Sequence, residues 1–135
     1  MGLIYLDSCA AIKLFKDEAE SEALESWLGQ QTTAQTITSH LTHTELRRGL
    51  HVIEADPETH IRANHWLKRR ALIALPAVVC ESAGILSPGT RLRSLDALHV
   101  AAALSLGAAL SHFVTYDKRL AAAAADHGLT VVSPA

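Results

Sequence analysis

Gly2-Leu3-Ile4-Tyr5-Leu6-Asp7, near the start, and Phe113-Val114-Thr115-Tyr116-Asp117, near the end, are two apolar runs, each closed by an aspartate. Short apolar runs of this kind read as strands buried on both faces. A helical segment follows each at once. In an open parallel sheet the carboxyl ends of the strands line one crevice, and ligands bind there. The spacing therefore places Asp7 and Asp117 on one rim. Glu45 and Asp96 are two further acids that stand beside apolar helical segments rather than in charged stretches. Crowded carboxylates repel one another and take up protons unless a cation neutralises them. The set Asp7, Glu45, Asp96 and Asp117 reads as a hard-cation site, with Mg²⁺ or Mn²⁺ as its natural occupant.

Outward from these strands, helical and extended segments alternate. Asp7 or Ser8 caps a first helix running through Ile12, Leu14 and Phe15, and a second covers Glu20 to Leu28 with Gly29 as its stop. Thr32 to Ser39 suits a strand. A third helix begins near Ser39 to Thr42 and carries Leu46, Leu50 and Ile53 at helical spacing. Pro57 is placed to open a fourth. Leu72 to Leu75 is a brief strand, and Pro76 opens a helix that stops before Pro88-Gly89. Ser94 is the expected cap of a helix from Leu95 to Leu106. Lys118 to His127 is helical with Gly128 as its stop, and Thr130 to Val132 is a last strand. Strands alternating with helices imply right-handed crossovers and an α/β fold, a mostly parallel sheet covered on both faces.

The bulk properties agree with one globular domain. The chain has 135 residues, 49% hydrophobic and 19% charged, enough to bury a sizeable core and too apolar for disorder. A formal net charge of -2 provides no global attraction to a polyanion, so such binding must come from local basic clusters. Pairs fall near the acids in sequence: Lys13 and Lys16, Arg47 and Arg48, Arg91 and Arg93, Lys118 and Arg119. Cys9 and Cys80 are too few for a disulfide framework or a zinc site and read as buried thiols in a reducing compartment. The apolar tract from Ala97 to Val114 is broken by His99, Ser105, Gly107, Ser111 and His112, which favours a buried helix, a turn and a strand over a membrane span. No signal peptide is apparent.

Each acid also has a plain structural role open to it. Asp7 and Asp117 are favoured helix caps, and Asp96 in a first helical turn gains from the helix dipole. Capping and metal ligation are compatible, since one oxygen can accept an N–H while the other faces an ion. Thr115 shares a strand face with Asp117, so its hydroxyl is placed to hold a ligating water. The helix bearing Asp96 is apolar nearly all round, and a carboxylate there needs a partner. Gly49, one turn from Glu45, leaves space for a ligand. His99 reads as a hydrogen-bond partner or packed imidazole rather than a ligand.

Ile4-Tyr5-Leu6-Asp7-Ser8, Thr44-Glu45-Leu46-Arg47-Arg48-Gly49, the segment 91–103 around Ser94-Leu95-Asp96-Ala97-Leu98-His99, and Phe113 to Leu120 resemble, in order and spacing, the signature segments of PIN-domain nucleases. More specifically they resemble VapC-type toxins of toxin–antitoxin pairs. The resemblance covers the whole chain and implies a single PIN domain over residues 1–135, a three-layer α/β/α sandwich. It implies a Mg²⁺- or Mn²⁺-dependent endoribonuclease with Asp7, Glu45, Asp96 and Asp117 as its acid quartet, Asp7 and Asp96 being the most secure ligands. RNA is the implied substrate, cut to leave a 3′-hydroxyl and a 5′-phosphate, in a cytoplasmic setting without a membrane. It further implies a homodimer and a cognate antitoxin whose C-terminal segment covers the crevice; Phe15, Trp27 and Trp66 are candidates for an apolar groove to hold it.

Other readings fare less well. A haloacid-dehalogenase-like phosphatase wants an aspartate two residues after Asp7, where Cys9 stands. A phosphoacceptor receiver domain wants an aspartate closing a middle strand, where Pro76 follows Leu75. A non-toxin PIN nuclease and a catalytically silent PIN interaction module stay open.

Overall fold

The computed structural model describes residues 2–87 and 92–135. The elements run β1 (Leu3–Leu6), α1 (Ser8–Ile12), α2 (Ser21–Gln30), β2 (Gln35–Ser39), α3 (His40–Val52), α4 (Pro57–Arg69), β3 (Ala71–Ile73), α5 (Ala77–Gly84), α6 (Ser94–Leu104), β4 (Leu110–Val114), α7 (Lys118–Asp126) and β5 (Val131–Val132). The expected alternation of strands and helices is present. Among the described residues the sheet has five strands in the order β3-β2-β1-β4-β5, and every pairing is parallel.

That order places the topological switch between β1 and β4. The chain leaves β1 toward β2 on one side and leaves β4 toward β5 on the other. Helices consequently cover both faces, and the strands alternate to serve them. Tyr5, Ile37 and Phe113 face α5, α6 and α7, with the Tyr5 and Phe113 rings stacked at 5.3 Å. Ile4, Leu6 and Val114 face the opposite way, with Ala10 and Leu24. Below them Ala11, Leu46, Leu50, Ala63 and Leu67 join α1, α3 and α4. This is a three-layer α/β/α sandwich. The tract 97–114 is a buried helix, a 3₁₀ turn at Gly107–Ala109 and a strand. No helix among the described residues is long and apolar enough to cross a membrane.

Several local expectations are corrected. α1 stops at Ile12, so Leu14 and Phe15 lie in the turn that follows. Gly29 lies inside α2, which runs on to Gln30; a helix end needs glycine only where the backbone turns left-handed, and Gly29 does not. Gly128 does, at φ +85°, just past α7 as expected. Arg93 holds the cap position of α6 and Ser94 is its first residue. Pro76 likewise stands one place before α5. Cys80 is exposed, whereas Cys9 is partly buried. Pro88-Gly89 and Arg91 lie outside the described residues.

Candidate active site

Asp7 follows the last residue of β1 and caps α1, its Oδ1 accepting the Ala10 N–H at 2.9 Å. It is 2% exposed. Its remaining partners are neutral: the Thr115 hydroxyl donates to Oδ2, and the Cys9 thiol lies 3.1 Å from each oxygen. Burial raises the Asp7 carboxyl above its ordinary pKa despite those hydrogen bonds and the nearby His99. The same burial, with the Asp7 charge, pushes the Cys9 thiol up to about 12. Cys9 is thus a hydrogen-bond donor and no nucleophile at neutral pH.

Asp117 lies three residues beyond β4 rather than at its last position. Its Oδ1 caps α7, accepting from Arg119 N at 2.9 Å and Leu120 N at 3.1 Å. The Asp117 N–H donates to Thr115 Oγ1 at 3.1 Å. Thr115, fully buried, therefore ties Asp7 to Asp117 directly and is not left free to hold a water.

Asp96, in the first turn of α6, and Asp117 share one cation. Arg93 Nε donates to Asp96 Oδ2 at 3.3 Å, and its terminal nitrogen to Asp117 Oδ2 at 3.4 Å.

Glu45 projects from α3 and is half-buried. Ser8 Oγ donates to its Oε1 at 2.5 Å, and His99 Nε2 lies 2.9 Å from the same oxygen. Burial pushes Glu45 up, but the His99 and Ser8 hydrogen bonds outweigh it, and the carboxyl lies below its ordinary pKa. His99, 2% exposed, has its Nδ1 2.7 Å from the Tyr5 hydroxyl, which also bonds Ser39 at 3.0 Å. Burial raises the Tyr5 pKa, so the phenol stays protonated. The imidazole is the expected hydrogen-bond partner, positioned from below by a buried tyrosine.

The acids are thus joined through single intermediaries: Asp7 to Asp117 by Thr115, Asp117 to Asp96 by Arg93, and Glu45 to α1 by Ser8. As they stand, no three His, Cys, Asp or Glu side chains among the described residues are arranged to hold an ion. The donors nonetheless suit a hard divalent cation. All are carboxylate oxygens, and Asp7 is a buried carboxylate with no ion-pair partner among the described residues. Arg93 already shows a positive charge drawn to Asp96 and Asp117.

Several neighbouring residues differ from expectation. A Cβ on Gly49 would lie 2.9 Å from Ile12 Cδ1, so its bare backbone admits α1 rather than a ligand. Lys13 is buried against Glu20 at 2.9 Å and Glu18 at 3.4 Å, which removes it from any phosphate contact. Arg47, Arg48, Lys118 and Arg119 are exposed. Phe15 and Trp66 pack edge to face at 5.9 Å, lining a groove of about 390 Å³ with Ile61 and Arg62. Trp27 packs elsewhere, on His112. Ser8, Tyr5 and Arg93 carried no sequence signal of their special roles beyond adjacency to Asp7 and Asp96.

The PIN domain family model matches residues 4–126. The chain is 40% identical over 134 residues to Ribonuclease VapC35 of Mycobacterium tuberculosis, covering 98% of this chain and 97% of that protein. It is 36% identical to Ribonuclease VapC46 of the same organism, covering 99% of each. The crystal structure of M. tuberculosis VapC20, a sarcin–ricin loop cleaving toxin, matches with a TM-score of 0.76 at 16% identity, over 97% of this chain and 99% of that one. VapBC2 from Rickettsia felis, bound to a DNA fragment from its promoter, matches with a TM-score of 0.77 at 14% identity, over 98% and 99%. At such identities these two structures speak to the fold alone.

Proposed function

The chain belongs to the PIN-domain family, and from that premise we propose that it is a metal-dependent endoribonuclease, the toxin of a type II toxin–antitoxin pair. The Ribonuclease VapC relatives, similar over nearly the whole chain, support RNA as substrate. We assign Asp7, Glu45, Asp96 and Asp117 as the acids that hold a Mg²⁺ or Mn²⁺ ion. The observation that carries this assignment is Asp7, a carboxylate 2% exposed whose hydrogen-bond partners are all neutral. A group so placed costs stability when charged, and a resident cation supplies the missing compensation.

When bound, a divalent ion neutralises charge on the scissile phosphate and acidifies the attacking water. The chain's own residues do the positioning. Thr115 and Cys9 hold the Asp7 carboxylate in one orientation. Ser8 and His99 hold Glu45, with Tyr5 fixing the imidazole. Asp117 commits one oxygen to α7, and its other oxygen accepts from Arg93. Exposed Lys118, Arg119, Arg47 and Arg48 are available to phosphates. No side-chain nucleophile is required: Ser8 is engaged with Glu45, and the Cys9 thiol is held protonated.

We also propose a cognate antitoxin as partner, a homodimer and a cytoplasmic setting. α5 and its C-cap leave Val78 and Ile85 exposed at 64% and 78%, an apolar face suited to a second copy. A catalytically silent interaction module is the competing reading, favoured by the absence of three acids arranged for an ion among the described residues. Purified protein with structured RNA separates the two. Cutting is expected with added Mg²⁺ or Mn²⁺ and none in excess chelator; equal cutting in chelator would remove the metal assignment, and no cutting under any condition would favour the silent module.

A further inference from the structure

Arg93 occupies a position the ion has to contest. Its backbone caps α6, and its side chain reaches from there to two acids on separate elements, Asp96 at 3.3 Å and Asp117 at 3.4 Å. Both contacts fall on Oδ2 atoms. For Asp117 this is the oxygen left over, since Oδ1 is spent on two backbone N–H groups of α7. A cation drawn to these two acids therefore finds one Asp96 oxygen and the remaining Asp117 oxygen already in use. The guanidinium is also easy to remove. Its side chain is 72% exposed, so leaving costs no desolvation, and such surface pairs are weak.

We propose that Arg93 is a built-in, displaceable counterion of the Asp96–Asp117 pair, which holds the two acids together when no ion is present and competes with the divalent ion for them. Two carboxylates gathered on one guanidinium would otherwise repel, so the arginine keeps the crevice assembled. Its grip sets a threshold: the ion binds only at a concentration that outcompetes the guanidinium. This inference rests on the divalent-ion assignment made above.

Mn²⁺ binding to the full chain without RNA, followed by calorimetry, tests it. Arg93→Gln is expected to bind Mn²⁺ about 3- to 10-fold tighter than the parent, the order of magnitude of losing two exposed ion pairs. Arg93→Lys, whose single ammonium cannot fork between two acids, is expected to lie between them and serves if the glutamine variant folds poorly. Lys118→Gln removes an equal charge beside Asp117 without touching the acid pair, and its affinity is expected to stay near the parent's. Unchanged or weaker binding in both Arg93 variants, with the parent still binding, overturns the inference and leaves the metal assignment standing. Equal tightening in Lys118→Gln also overturns it, since net charge would then be the cause. If neither parent nor variants bind Mn²⁺, the metal assignment itself fails and this inference falls with it.

Discussion

Asp7, after β1, and Asp56, ahead of α4, each accept a backbone N–H from the residue three positions on, Ala10 at 2.9 Å and Thr59 at 2.7 Å. Locally the two junctions are the same device, an aspartate cap on a helix. Their surroundings invert the consequence. Asp56 faces water, and the Thr59 hydrogen bonds lower its pKa. Asp7 is enclosed by β1, β4 and α1, and burial raises its pKa. The outer cap is therefore a stabilising feature, while the inner one is a buried carboxyl whose charge no ion pair among the described residues compensates. Perturbed carboxylates of the second kind gather at functional sites.

The greatest effect should come from exchanging the inner carboxylate for its neutral isostere. Asp7→Asn is expected to lower RNA cleavage by at least about 100-fold, while Asp56→Asn leaves it unchanged; a gel assay on the same RNA reads both. Comparable losses in the two variants would dissolve the distinction between the caps.

Stability should move the other way. In chelator, Asp7→Asn is expected to melt about 2–5 °C higher than the parent, because a buried uncompensated charge has gone. Thr115→Val, which removes the hydroxyl donor to Asp7, is expected to cost about 1–3 kcal/mol in denaturant unfolding at neutral pH. Asp56→Ala should lower the melting temperature by a smaller margin through the lost cap.

The smallest and sharpest difference lies in pH. Asp7's folded pKa is above its unfolded value, so its contribution favours folding fully below the unfolded value and is lost as pH rises through the folded one. Asp56's folded pKa is below its unfolded value, so its contribution is present above the unfolded value and is lost as pH falls through the folded one. The melting advantage of Asp7→Asn should therefore shrink on acidification, as the parent's carboxyl takes up its proton. The deficit of Asp56→Ala should shrink on acidification too, but only at lower pH. An Asp7→Asn advantage that grows toward acid would contradict the assignment of burial as the cause.

How much of this was legible beforehand depends on whether a signal is local. The β1 run, the Pro57 start of α4 and the Gly128 stop of α7 rest on periodicity and backbone preference within a few residues, and they agree with the structure; other strands are displaced, β2 beginning only at Gln35, β3 ending at Ile73 and β4 running from Leu110 to Val114. Gly29 misled because glycine ends a helix only where a left-handed residue is needed. Gly49 misled for another reason: its open side is filled by Ile12 from α1, a contact between elements distant in sequence. Lys13 looked like a phosphate contact, yet Glu18 and Glu20 fold back onto it. Cys80 looked buried from its apolar neighbours, but one face of α5 is left exposed.

By itself the sequence determined the order of the elements, the α/β layering and the placing of two aspartates after strands, because these follow from short-range patterns of side-chain size and polarity. Tertiary structure alone decided that Thr115 would join Asp7 to Asp117, that Arg93 would span Asp96 and Asp117, and that His99 would stand between Tyr5 and Glu45. Those links cross up to 108 residues of chain. Their energies depend on burial and on distances of a few ångströms between separate elements, quantities that exist only once the sheet has brought β1 beside β4.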